Sequence, residues 1–190
     1  MASRAWHSVS REVAYKDPRL TVFNDTIINE AGDTSGYTLV DFSDAVFIVA
    51  ETKDAKIALV QQHRYPLGRV QTELIAGGLP SGVDPVEQAI NELHEEAQLS
   101  AIHIELLGSF AMQPNRAINT GYVLHALVEG DDASTAANQE VDESIEGIVF
   151  ADKLSLPGMV TSGEISGAYC LASLALYWQS QAGGQRQLGQ

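Results

Sequence analysis

Short apolar runs separated by polar clusters set the pattern of the first half of the chain. Residues 11–29, REVAYKDPRLTVFNDTIIN, hold two extended runs divided by Asp17-Pro18, and EAGDTSG (30–36) reads as a turn. YTLVDF (37–42) and AVFIVAE (45–51) are filled with β-branched and aromatic residues, which predicts strands. TKDAK (52–56) has the composition of a hairpin turn ahead of a strand in IALVQQHRY (57–65), and TELIAGG (72–78) is a further short strand ending in glycines. Beyond a central helix, IELLGSFAM (104–112), GYVLHALVEG (121–130) and ESIEGIVF (143–150) are again strand-like. The polar run GDDASTAANQEVDE (130–143) reads as a loop long enough to carry function or to lack order. ADKLSLPGMV (151–160) and GEISGAYCLASLALYWQSQ (163–181) predict helices; in the second, Ile165, Ala168, Ala172, Ala175 and Leu176 fall near helical spacing. AGGQRQLGQ (182–190) should fray. Mixed strands with one central and late helices make the class α+β.

The central helix is the most clearly marked element. Asp84 can cap it, Pro85 suits the first helical position, and Glu87 completes a capping box, so a helix is expected from about Pro85 to Gln98. Val86, Ile90, Leu93 and Ala97 would form its apolar stripe. Glu92, Glu95 and Glu96 project from a neighbouring sector, where three like charges repel. Gln88, Asn91 and Ser100, at the matching spacings, are neutral and bring no compensating charge. A cation held between the acids would remove the repulsion, and oxygen ligands suit Mg²⁺ or Mn²⁺. The competing reading is a solvated helix face. What favours a ligand site is the context: a strand, a glycine-rich loop whose backbone allows close approach, and then the acidic helix.

Charge narrows the choice of partners. Twenty-five acids against eleven bases give a net charge of −14, which opposes nucleic acid and anionic membrane as partners. An anionic small molecule would need arginine or a divalent cation locally. With 190 residues, 45% of them apolar, the chain suits one substantial domain with room for a small subdomain. The lone Cys170 allows no internal disulfide and fits a reducing cytoplasm. MASRAWHSVSREV lacks the apolar core of a signal peptide, and ISGAYCLASLALYW is too short for a membrane span, so a cytoplasmic protein is expected. His63, His103 and His125 lack paired ligand spacing, which argues against zinc. AGGLPSG meets neither the Walker nor the dinucleotide spacing.

The strand–loop–helix unit resembles the Nudix hydrolase box, G-x5-E-x7-R-E-U-x-E-E-x-G-U with U apolar. Gly77 matches the first glycine, Glu92-Leu93-His94-Glu95-Glu96 the E-U-x-E-E core, and Leu99 the last apolar position. KIALVQQHRYPLGRVQTELIAGG, DPRLTVFNDTI, DAVFIV, LLGSF, DESIE and GEISGAYCLASLAL are similar in order and spacing to the ADP-ribose pyrophosphatase subfamily, about 170 residues in all. The resemblance implies an α/β/α sandwich of Nudix fold with a mixed sheet. It also implies an N-terminal antiparallel β subdomain for dimerisation over 1–43, a hydrolase domain over 44–182 and a flexible tail over 183–190. As metal ligands it implies Glu92, Glu96, Glu95 (ligating or orienting) and the carbonyl of Ala76. It places a catalytic base or water-positioning acid at Glu143, with Glu140 the neighbouring candidate and an ordinary exposed acid the alternative. Arg64 matches a phosphate-gripping arginine, whose planar fork suits the role. Arg69 is a second, exposed candidate. Glu73 would contact the ligand side or brace the loop. Arg116 stands in a loop where the family usually has glycine, with Asn115 beside it. Trp6 and Phe23 are candidates for stacking on a base, or for packing.

Three box positions depart from the pattern: Val83 stands for the first glutamate, Asn91 for the arginine and Gln98 for the second glycine. Val83 and Asn91 together remove one acid and one base, as expected if a supporting ion pair was lost as a unit. The implied activity is Mg²⁺- or Mn²⁺-dependent hydrolysis of a nucleoside diphosphate derivative by a homodimer, with ADP-ribose giving AMP and ribose 5-phosphate as the foremost case. The alternative is a catalytically weak domain that binds a nucleotide or nucleotide-sugar ligand.

Overall fold

A computed structural model of the protein describes residues 5–129 and 145–187, with side chains to residue 182. The chain forms two compact units. One comprises the chain up to Asp44 together with Ala111–Thr120, and the other comprises Ala45–Phe110 and the chain from Gly121 onward.

In the first unit, β1 (Trp6–Lys16), β2 (Leu20–Asn29) and β3 (Thr34–Phe42) make an antiparallel three-stranded sheet in that order. The Asp17-Pro18 signal becomes the first turn because the Asp17 carboxylate accepts from the amides of Arg19 (2.7 Å) and Leu20 (2.9 Å). Asn29 closes the second turn in the same way, its side-chain oxygen accepting from Ala31 and Asp33. This turn is shorter than expected, since β3 already begins at Thr34. The strand β1 begins at Trp6, in a stretch whose polar composition gave no element, and all eleven of its residues are exposed.

The second unit is built on a six-stranded sheet: β4 (Asp44–Thr52), β5 (Lys56–Arg64), β6 (Arg69–Leu79), β7 (Ser100–Ala111), β8 (Thr120–Glu129) and β9 (Ile145–Asp152). Their order across the sheet is β7-β8-β4-β6-β5-β9. The sheet is mixed: β4 runs parallel to β8, while β5 is antiparallel to both β6 and β9. The helices are α1 (Pro85–Ala97), α2 (Leu156–Ser162) and α3 (Ala168–Gln187).

Period-two alternation divides the core between the two faces of this sheet. Val46, Ile48, Ala50, Ala58, Val60 and Ile75 cluster with Ala89, Leu93 and Ala97 of α1. Their strand neighbours Val49, Ile57, Leu59 and Leu74 cluster with Leu156 of α2 and Cys170, Leu174 and Tyr177 of α3. The result is the expected α/β/α sandwich.

Two expected helix faces differ in detail. In α1, Ile90 is 47% exposed, and the buried positions are Ala89, Glu92, Leu93, Glu96 and Ala97. In α3 the buried positions are Cys170, Ser173, Leu174 and Tyr177, while Ala168 and Ala175 are exposed. Leu174 and Tyr177 continue the spacing that Cys170 begins, and alanines are too small to decide which side of a helix meets the sheet. The backbone of α3 continues to Gln187, into the stretch expected to fray; residues 188–190 lie outside the described residues.

Candidate active site

The site is built where β6 runs into α1. Asp84 caps the helix as expected, its carboxylate accepting from the Val86 amide at 2.8 Å, with Pro85 in the first turn. Ala89, Leu93 and Ala97 of α1 pack onto the sheet, and this rotation brings Glu92 and Glu96 inward. Glu92 is 8% exposed and Glu96 4%, whereas Glu95 and His94 remain exposed. The backbone amide of Ala76 donates to Oε2 of Glu96 at 3.2 Å. The carboxylate of Glu92 lies so close to Gly77 that a Cβ there would occupy its position. Gly77 is therefore the one residue type that lets this carboxylate meet the end of β6. Oε1 of Glu92 also accepts from the side-chain amide of Gln88 at 2.7 Å.

Two buried carboxylates beside a strand end form a hard-oxygen donor set. Among the described residues, no three His, Cys, Asp or Glu side chains gather into a metal-holding cluster. That composition still fits Mg²⁺, which is commonly bound through one or two carboxylates together with substrate phosphates and water rather than in a cage of protein ligands.

Arg64, at the end of β5, lies in register with Arg69 at the start of β6. The carboxylate of Glu73 receives the Arg64 fork, with Nε 3.1 Å from both carboxylate oxygens and Nη2 2.5 Å from Oε2. Tyr169 donates its hydroxyl to the same Oε2 and lies 3.4 Å from Arg64 Nη2. Glu73 is buried, while the Arg64 side chain keeps 38% of its exposure. Glu73 thus braces the arginine, whose side chain remains partly exposed. Burial works against the charge on Arg64, but the Glu73 carboxylate outweighs it and the pKa is raised. For Tyr169, burial and then Glu73 both raise the pKa, so its phenol stays a proton donor. The Tyr169 ring stacks on Phe47 with centroids 5.0 Å apart. Next to it, burial pushes the Cys170 thiol up to about 12, which makes it an inert core residue.

Arg116 belongs to the first unit. Its Nη1 donates to the Thr38 carbonyl at 3.1 Å, and its guanidinium lies 5.1 Å from the centre of the Tyr37 ring. In the same unit Arg11 lies over Phe23, which is half-buried, while Trp6 is exposed. Glu140 and Glu143 lie outside the described residues.

Two residues in these contacts carried no expectation. For Gln88 the sequence shows only an uncharged neighbour of the acids, although an amide four residues before a glutamate is within reach on a helix. Tyr169 could not be found locally, since 96 residues separate it from Glu73.

Among the departures from the box, Val83 packs against the α1-side core, Asn91 is exposed, and Gln98 ends α1 in the left-handed region at φ 54°. The glycine of the pattern is therefore missing where the backbone has the conformation glycine favours.

With this fold and this strand–loop–helix unit, the chain is similar in sequence to an ADP-ribose pyrophosphatase and in fold to a hydrolase of ADP compounds. No family model matches it. It is 25% identical over 186 residues to the ADP-ribose pyrophosphatase of Bacillus subtilis (strain 168), covering 96% of this chain and 99% of that one. Over 117 residues, 60% of its length, it is 36% identical to the methanol dehydrogenase activator of Bacillus methanolicus. The match spans 63% of that activator's length. A crystal structure of an ADP compounds hydrolase has the same fold, with a TM-score of 0.80 and 16% identity over 95% of this chain and 96% of that one. Among the described residues, no helix is long and apolar enough to cross a membrane.

Proposed function

We propose that the chain hydrolyses the diphosphate bond of a nucleoside diphosphate derivative with the help of Mg²⁺ or Mn²⁺, and that ADP-ribose is its substrate, giving AMP and ribose 5-phosphate. The observation that carries this reading is the pair of buried carboxylates, Glu92 and Glu96, set against Ala76 and Gly77. Similarity along almost the whole chain to an ADP-ribose pyrophosphatase supports the substrate.

In this reading Glu92, Glu96 and the Ala76 carbonyl hold the metal, with Glu95 ligating or orienting from the exposed side. Bound there, a divalent ion neutralises diphosphate oxygens and lowers the pKa of water. The chain's own side chains do the rest. Arg64, kept charged and aimed by Glu73 and Tyr169, grips a phosphate. Glu143 or Glu140 takes the proton of the attacking water, and Arg116 contributes to substrate preference.

The exposed strand β1, an edge of its sheet bearing Trp6, Val9, Val13 and Tyr15, supports the homodimer. Long exposed edges with apolar side chains are seldom left uncovered.

A second reading, a weakly active domain that binds a nucleotide or nucleotide-sugar ligand, is favoured by one observation: Val83 places a core contact where the box has an acid.

Incubation with Mg²⁺ or Mn²⁺ and a panel of nucleoside diphosphate derivatives separates the two. Hydrolysis of ADP-ribose that Glu96→Gln reduces by at least about 100-fold supports the first reading. Saturable ligand binding without turnover supports the second, and turnover that survives Glu96→Gln defeats the metal mechanism.

A further inference from the structure

We infer that Gln88 is a positioning residue for the metal site, orienting the Glu92 carboxylate before a cation arrives. This rests on the reading that Glu92 and Glu96 hold a divalent ion. Gln88 lies one helical turn before Glu92 on α1, is itself half-buried, and donates from Nε2 to Oε1 of Glu92 at 2.7 Å. The same carboxylate lies against the backbone at Gly77, where no Cβ intervenes. A glutamate side chain has three rotatable bonds. Pressed against Gly77 and held from Gln88, this one is confined to a narrow range of them before binding.

The chemistry of the donor matters as much as its position. A carboxamide fixes a carboxylate without cancelling its charge, so the attraction for a cation is retained. Lysine or arginine at the same place would hold the carboxylate equally well but would repel the incoming metal. Glu96 is served in the same manner, by the neutral amide of Ala76. Each buried acid of the pair therefore has an uncharged hydrogen-bond donor on it, an arrangement suited to a preorganised cation site.

The competing account is an ordinary helix-surface pair, which supports α1 and nothing else. The two differ in what they change. A helix pair contributes to the stability of the metal-free protein and leaves metal affinity alone, whereas a positioning residue does the reverse.

The test is calorimetric titration of Mn²⁺ into the wild-type protein, Gln88→Met, Gln88→Ala and Glu96→Gln, with thermal melts of each metal-free protein. Methionine keeps the length of the side chain and lacks the donor. Gln88→Met and Gln88→Ala are expected to raise the Mn²⁺ dissociation constant about 10-fold while the metal-free melting temperature stays within about 2 °C. Their deficit in turnover should disappear when Mn²⁺ is raised in proportion. Gln88→Met binding Mn²⁺ as tightly as wild type, while Glu96→Gln binds it weakly, would overturn the role of Gln88 and leave the metal site standing. Mn²⁺ binding that Glu96→Gln does not weaken would overturn the metal site and this inference with it.

Discussion

At the scale of single residues, Gly77 and Glu73 illustrate two ways in which a neighbour sets the behaviour of a functional group. Gly77 acts through the absence of a side chain, since any Cβ there takes the space of the Glu92 carboxylate. Gly77→Ala should therefore displace a flexible side-chain end rather than backbone. The expected outcome is Mn²⁺ affinity and turnover reduced by about 10–100-fold with little change in melting temperature, measured by calorimetry and thermal melts. Glu73 acts through charge. Its buried carboxylate receives both the Arg64 fork and the Tyr169 hydroxyl, so Glu73→Gln weakens four hydrogen bonds at once. Because Arg64 is partly solvated, the stability loss should be about 1–2 kcal/mol, less than for a fully buried pair. If Arg64 grips phosphate, the same substitution raises KM more than it lowers kcat. A kinetic comparison with Arg64→Ala checks this, and a loss confined to kcat would contradict the assigned role.

At the scale of elements, the start of α1 is legible in the sequence and its buried face is not. Asp84 and Pro85 announce the helix start because capping is local chemistry, and the structure has the cap they predict. Its buried face depends on the sheet beneath it. Leu93 and Ala97 fit both an Ile90-centred stripe and the observed Ala89-centred one, so periodicity alone could not choose between them. The choice matters, because it is the observed rotation that buries Glu92 and Glu96. The other end of α1 carries a testable strain: Gln98 is left-handed at φ 54°, with its amide donating to the carbonyls of His94 and Leu93. Gln98→Gly should stabilise the protein by about 0.5–1 kcal/mol, as relief of the left-handed penalty outweighs the added freedom of the unfolded chain. Chemical denaturation measures it directly. At the start of the helix, Val83→Glu puts a carboxylate into a half-buried apolar contact and should cost about 1–3 kcal/mol. Asn91→Arg, on an exposed position, should be near neutral. If the missing pair was lost as a unit, the double variant will recover more than the sum of the two; strict additivity would contradict that.

At the scale of the whole molecule, most of the strands and the α+β class could be read from alternation and turn chemistry, and the sandwich from the resemblance. Its long-range ties could not. Glu51 of β4 is the clearest case, a buried acid within 2.7 Å of Lys153 Nζ, 2.8 Å of the Tyr177 hydroxyl and 3.0 Å of His125 Nε2. These partners come from α3, β8 and the segment after β9, so no local pattern links them. Burial pushes the Glu51 carboxyl up, but the bonds from Lys153 and Tyr177, the ammonium charge and His125 outweigh it, and its pKa lies below the ordinary value. A carboxyl lowered in the folded state contributes stability above its unfolded pKa, and that contribution is lost as pH falls through the folded one. Glu51→Gln should therefore melt earlier than wild type at neutral pH, with the gap narrowing in acid; melts across pH test it. The exposed edge strand β1 makes its own prediction: Val13→Asp should shift the proposed dimer towards monomer in light-scattering measurements.

The account as a whole rests on the paired carboxylates at the β6–α1 junction and is tested most directly by one measurement. ADP-ribose hydrolysis in Mg²⁺ is followed by the release of AMP and ribose 5-phosphate, for the wild-type protein and for Glu96→Gln. Mg²⁺-dependent formation of both products by the wild type, reduced at least about 100-fold in the variant, is the predicted result. Equal rates for the two proteins, or no hydrolysis by the wild type at any Mg²⁺ concentration, would contradict it.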